Sequence, residues 1–119
     1  MKTVLWISRH SMTDAQLADL CRVMGESVRL LPWQDTVEDL SALLPLIRES
    51  DAVAAVLPPE LLGQLLKLAG DRPVLRAVGR RELTGRMNLS PEGKPETQYR
   101  FVHDAWEQVL RVEVLTRRL

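Results

Sequence analysis

With 119 residues, 45% of them apolar and 27% charged, the chain has the size and composition of one globular domain, which excludes wholesale disorder and a two-core architecture. Its formal charge is zero, so nothing global draws it to long nucleic acid or to a membrane surface. No apolar run approaches the roughly 20 residues that span a bilayer, and a lone Cys21 excludes an internal disulfide and a cysteine-based zinc site.

The chain runs from Met1-Lys2-Thr3 straight into an apolar stretch without a signal-peptide pattern, so a cytoplasmic location is expected. Thr3–Ser8 is a continuous apolar run of the kind buried on both faces of a parallel sheet. A helix then starts clearly: Thr13 as N-cap and Gln16 three residues on form a capping box, with Met12 and Leu17 placed for a hydrophobic staple. Leu17, Leu20, Cys21 and Met24 line one face, and Gly25 suits the helix end.

Ser27–Leu31 reads as a second strand. Asp35 or Thr36 then caps a second helix with Val37, Leu40, Leu43, Leu44 and Ile47 as its buried stripe, and Pro45 kinks or splits it. Ala52–Leu57 is a third strand, Pro58-Pro59-Glu60 opens a third helix that Gly70 closes, and Pro73–Val78 is a fourth strand. This β-α-β-α-β-α-β alternation implies a Rossmann-like α/β fold, a parallel sheet flanked by helices with right-handed crossovers.

Beyond residue 79 the pattern changes. Glu82–Met87 and Gln98–His103 read as strands joined by a polar loop, with turn chemistry in Ser90-Pro91-Glu92-Gly93. Leu110–Leu115 alternates as a further strand, and the intervening Asp104-Ala105-Trp106-Glu107-Gln108 is a turn or a bulge. The expectation is a single domain, with a βα core over 1–79 and C-terminal antiparallel strands over 80–119.

Charge is uneven along this layout. Residues 1–70 hold 6 Lys/Arg against 9 Asp/Glu, whereas 71–119 hold 10 against 7. Arg72, Arg76, Arg80, Arg81 and Arg86 crowd the start of the basic part.

The densest chemistry lies between the first strand and the first helix. Arg9, His10, Ser11 and Thr13 occupy a turn where a strand's carboxyl end feeds a helix amino end, the usual place for an anion in α/β proteins. Arg9 supplies fixed positive charge, Ser8, Ser11 and Thr13 supply hydroxyls, and His10 adds an imidazole, the side chain suited to moving protons. Trp33, after the second strand, could stack on a base, and Arg80 with Arg81 would widen the basic surface at the same sheet edge. Thr13 is explained as a cap whatever else it does. No P-loop, G-x-G-x-x-G, H-E-x-x-H or paired-cysteine motif occurs, so neither cofactor nor metal is expected.

Two resemblances reach these residues. Arg9-His10-Ser11-Met12-Thr13 resembles the R-H-G-x-T signature of histidine phosphatases, which would make His10 a phosphorylated nucleophile and Arg9 a phosphate clamp. Five positions are covered, Ser11 replaces the glycine, and His103 is the only other histidine.

The string W-I-S-R-H-S-M-T-D-A-Q-L-A-D-L, from Trp6 to Leu20, resembles the opening of small CRISPR-associated CARF-like proteins. In some of these the first strand ends in Ser-His before a Leu-Thr-x-x-Gln-type helix start. The overall length, the Rossmann-like order and Pro73-Val74-Leu75-Arg76 before antiparallel strands are similar too. Ser8 and His10 match the strand-end pair, with Arg9 inserted between them. The resemblance implies a homodimer that binds a cyclic oligoadenylate messenger in antiviral defence.

Some such proteins are ring nucleases, and for these the implied reaction is metal-independent: a 2′-OH aligned on the adjacent phosphate opens the ring. His10, Arg9 and Ser11 would carry that chemistry, while Ser8, Thr13, Trp33, Arg80 and Arg81 would hold the ligand. A non-catalytic interaction or regulatory module of the same fold fits these residues as well.

Overall fold

Strand β1 (Lys2–Ile7) forms the middle of the molecule because its side chains find apolar cover on both faces. In the computed structural model, which describes all 119 residues, Val4, Leu5, Trp6 and Ile7 are each no more than 3% exposed. Leu5 and Ile7 enter one core cluster, with Leu40, Leu43, Ile47, Val53 and Leu65. Val4 and Trp6 enter another, with Leu20, Ala52, Leu75 and Trp106.

The remaining elements follow in alternation. Helix α1 (Asp14–Met24) leads to β2 (Val28–Trp33), and a 3-10 turn (Leu40–Leu43) leads to α2 (Leu44–Arg48). Strand β3 (Ala52–Ala55), helix α3 (Pro59–Ala69), β4 (Val74–Leu89) and β5 (Pro95–Gln108) complete the order. The sheet order is β2-β1-β3-β4-β5. β1 pairs in parallel with β2 and β3, β3 pairs in parallel with β4, and β5 adds antiparallel to β4. The chain is therefore α/β with a mostly parallel sheet and antiparallel C-terminal strands, as its sequence implies. α1 covers one face, and α2, α3 and the 3-10 turn cover the other.

Local chemistry explains the element ends. The capping box is formed: Thr13 Oγ1 accepts from the Gln16 amide at 3.1 Å and Gln16 Oε1 accepts from the Thr13 amide at 2.9 Å. Gly25 ends α1 at φ 79°, the left-handed region that a Cβ disfavours. Pro32 stands in β2, an edge strand, where a missing N–H costs no ladder bond on the outer side.

Three sequence expectations are corrected. The second helix does not start at Asp35 or Thr36. Asp39 caps the 3-10 turn instead, accepting from the Ser41 amide at 3.0 Å and its hydroxyl at 2.7 Å. Pro45 then sits in the first turn of α2, where no backbone donor is required of it.

Pro73–Val78 and Glu82–Met87 are not separate strands, since β4 runs unbroken from Val74 to Leu89. The Asp104 region is a bulge within β5: Val78 pairs with Ala105 and Gly79 with His103, leaving Asp104 as the extra residue.

Leu110–Leu115 is not a strand, because 109–119 has no regular structure. Val109 and Val112 pack against the core cluster beneath α3 instead. The Val109 amide donates to the Val74 carbonyl at 2.8 Å, which directs the tail across that face.

β3 pairs with β4 only at Val74 and Leu75. The rest of β4 and its partner β5 overhang the carboxyl edge of the sheet as a two-stranded arm. The radius of gyration, 17.5 Å, exceeds the roughly 13.5 Å of a compact domain of this length for that reason.

Candidate functional site

The strand order reverses between β1 and β3: from β1 the chain goes to β2 on one side and then to β3 on the other. In open α/β sheets ligands bind outside the carboxyl ends of the strands at such a switch point. A crevice of about 240 Å³ lies there. It is lined by Ile7 at the end of β1 with Ser8 and Arg9 after it, by Asp35 and Thr36 after β2, and by Val56 and Pro58 after β3.

Hydrogen bonds to the backbone fix the turn that borders it. Ser8, 6% exposed, accepts from the His10 amide at 3.1 Å through Oγ, which leaves its hydroxyl hydrogen for a ligand. The Ser8 amide donates to the Trp33 carbonyl at 3.1 Å. Trp6 Nε1 donates to the His10 carbonyl at 2.9 Å. His10 is thus held at both its amide and its carbonyl while its imidazole stays exposed, as does Ser11.

Three groups at the crevice favour an anion. The Ser8 hydroxyl is one. The Arg9 guanidinium, positioned by donating to Thr36 Oγ1 at 3.1 Å, is the second. The third is the amino end of α3: Pro58 and Pro59 cannot cap it, so no side chain takes up its first free amides. Asp35 is the opposing charge in the wall, so an anion must settle on the Arg9 side.

The other residues singled out in the sequence are distributed around this turn. Thr13 Oγ1 is engaged in the capping box, and Thr13 and Gln16 face a different hollow, against Gly79, Phe101 and His103. Trp33 ends β2 and packs against the core cluster beneath α2 and α3. It borders a separate hollow of about 220 Å³ with Val37 and Ala42, and its Nε1 is buried without a hydrogen-bond partner.

Arg80 and Arg81 lie within β4, where strand alternation sends them to opposite faces. Arg80 faces Glu82 and Asp104, at 3.6 and 3.9 Å. Arg81 lies over the Tyr99 ring, 4.6 Å from its centre. The pair does not form one basic surface.

A polar contact that no local signal announced joins the arm's root to α1. His103 Nε2 and Asp19 Oδ2 are 2.8 Å apart, and the His103 side chain is 6% exposed. Trp106 Nε1 donates to the Gln16 carbonyl at 2.9 Å, and the Trp106 ring meets Trp6 edge-on, 5.9 Å between centres. The hydrogen bond with His103, and after it the one from Arg22, holds the Asp19 carboxyl below its ordinary range. His103 Nδ1 is buried and unpaired. The contact lies 84 residues apart in sequence, so only the fold could reveal it.

Two roomier clefts, of about 490 and 780 Å³, lie under the tail against α3. Their walls hold the pairs Arg76 with Glu107 at 2.8 Å and Arg111 with Glu113 at 3.1 Å, and Glu60 and Lys67 of α3 also line the smaller one. No three His, Cys, Asp or Glu side chains converge where a metal ion could be held. No helix is long and apolar enough to cross a membrane. Comparison with protein-family models, with curated proteins and with solved structures found no match to this chain.

Proposed function

We propose that the carboxyl edge between β1 and β3 binds a phosphodiester, of the class of a cyclic oligoadenylate or short oligonucleotide messenger, and opens it without a metal ion. The reading rests on one observation above all. The crevice at the strand-order reversal carries the Ser8 hydroxyl, the Arg9 guanidinium and an uncapped helix start, beside an exposed His10 whose backbone is pinned at both ends. A pinned turn supports catalysis by alignment, because its groups need no reordering when charge develops.

In this scheme Arg9 neutralises the non-bridging phosphate oxygens and Ser8 donates to one of them. The 2′-oxygen attacks the adjacent phosphorus, the bond from phosphorus to the 5′-oxygen breaks, and a 2′,3′-cyclic phosphate and a 5′-hydroxyl result. His10 takes the proton from the 2′-OH and returns one to the departing 5′-oxygen, while Ser11, next in the turn, holds the second phosphate oxygen. A pair of chains would present two such turns to a symmetric ring.

The test is turnover by the purified protein in EDTA, with cyclic oligoadenylates of several ring sizes resolved by chromatography. Linear products are expected, and His10→Ala or Arg9→Ala is expected to slow their appearance by about 100-fold or more. Binding without turnover would leave a regulatory module on the same crevice. Phosphate trapped on His10 from a phosphomonoester would point to a phosphatase instead. Neither binding nor turnover would overturn the proposal.

A further inference from the structure

Alternation along the overhanging β4–β5 arm separates its residues cleanly by face. Leu83 pairs with Tyr99, Met87 with Thr97, Leu89 with Pro95 and Arg81 with Phe101. Directly paired residues share a face, and the bulge at Thr84–Arg86, where Gly85 takes φ 78°, preserves the parity. The five large apolar side chains of the arm, Leu83, Met87, Leu89, Tyr99 and Phe101, therefore lie together on the face that α1 covers lower down.

The opposite face is polar. Arg100 bonds Glu82 at 2.9 Å, Arg80 faces Glu82 and Asp104, and Thr84 bonds Gln98 at 3.1 Å.

Arg80 and Arg100 on the polar face are solvated charges, whereas on the other face five large apolar side chains are between 47% and 79% exposed with nothing packed over them. Together they present roughly 600 Å² of surface, at the upper end of what the largest apolar patch of a monomer reaches and most of the roughly 800 Å² per partner of a stable interface. A two-stranded ribbon is only marginally stable by itself, so this arm needs cover on its apolar side.

We propose that the cover is the same face of a second copy of this chain, the two arms packing against each other about a twofold axis. The strip is self-complementary as such an axis requires. It is apolar at its centre, and its one charged group, Arg81, already lies on the Tyr99 ring. It offers no charge pattern for a nucleic acid or an anionic membrane to match. The strip begins beyond the amino end of α1, where Phe101 and Gly79 face Thr13 and Gln16. The partner would therefore sit beside the Arg9–Ser11 turn. The inference shares with the proposed function only the expectation of a pair, and names the surface that makes it.

Sedimentation of the full chain without nucleotide tests this. The wild type is expected at twice the 13.5 kDa chain mass, and Leu83→Asp with Phe101→Asp is expected to weaken the dimer by roughly 100-fold or more, with an unchanged far-ultraviolet spectrum. Concentration-dependent hydrogen-exchange protection of 82–89 and 95–101 in the wild type provides a reading should the charged variant fail to fold. A monomer at tens of micromolar, a dimer indifferent to the substitutions, or protection confined to other segments would each overturn the interface. Loss of nucleotide binding in an intact dimer would overturn the proposed function and leave the interface standing.

Discussion

Replacing Trp6 by phenylalanine removes a core side chain that bonds the candidate turn directly. Trp6 is 3% exposed, meets Trp106 edge-on and donates from Nε1 to the His10 carbonyl. A phenyl ring keeps an edge-to-face pairing with Trp106 available, so the aromatic contact largely survives. The hydrogen bond is lost, at about 1 kcal/mol net, since water can reach a carbonyl in an exposed turn. The smaller ring leaves roughly 40 Å³ unfilled, which at about 24 cal/mol per Å³ adds close to 1 kcal/mol.

The sum is about 2 kcal/mol, near 30-fold in the folding equilibrium. Urea unfolding followed by circular dichroism measures it without relying on indole fluorescence, and the His10 amide resonance reports the turn. A loss under about 0.5 kcal/mol, or an unmoved His10 resonance, would refute the view that Trp6 anchors this turn.

Other consequences follow from the same contacts. Thr13→Ala is expected to cost about 1 kcal/mol by thermal unfolding and Thr13→Ser much less, because the cap needs the hydroxyl oxygen; equal costs would refute the cap. Asp19 is held below its ordinary 3.8 by His103 and Arg22. Its contribution is therefore fully present above about pH 4 and lost as pH falls through the lowered value. The stability gap between wild type and Asp19→Asn should hold from pH 7 to 5 and close below pH 4, and a gap independent of pH would contradict that pairing. Gly85→Ala should destabilise by roughly 1–2 kcal/mol, because alanine resists a φ of 78°; a neutral substitution would show that the arm bends differently.

The first half of the fold was legible because its signals are local. Thr13 and Gln16 announce α1, Pro58-Pro59 and Gly70 bracket α3, and the runs at Val4 and Ala52 can only be buried strands. The start of α2 was not legible, since Asp35, Thr36 and Asp39 can all cap. What decides among them is that Pro45 must fall in a first helical turn.

Val78-Gly79-Arg80-Arg81 looks like a strand end, because glycine beside charge usually marks one. In the arm, β4 is paired on one side only, and Arg80 on its polar face and Arg81 over the Tyr99 ring sit in the ladder without breaking it. Leu110–Leu115 has a strand's alternation but no ladder to join, and the tail lies over α3 instead.

In the candidate site, Ser8 and Arg9 follow from where β1 ends. The separation of Thr13, Trp33, Arg80 and Arg81 from them depends on faces and distances that a sequence does not carry. The contact of His103 with Asp19 is of that kind too.

Ser8, Arg9 and the α3 amino end are proposed to act together as a phosphate site at the strand-order reversal. Titration calorimetry of cyclic tetra-adenylate into the wild type and into Arg9→Ala tests it most directly. Measurable binding by the wild type is expected, weakened by at least about tenfold in the variant, as loss of a charge-assisted contact to phosphate requires. Equal affinity in the two proteins, or no binding by the wild type, would contradict it.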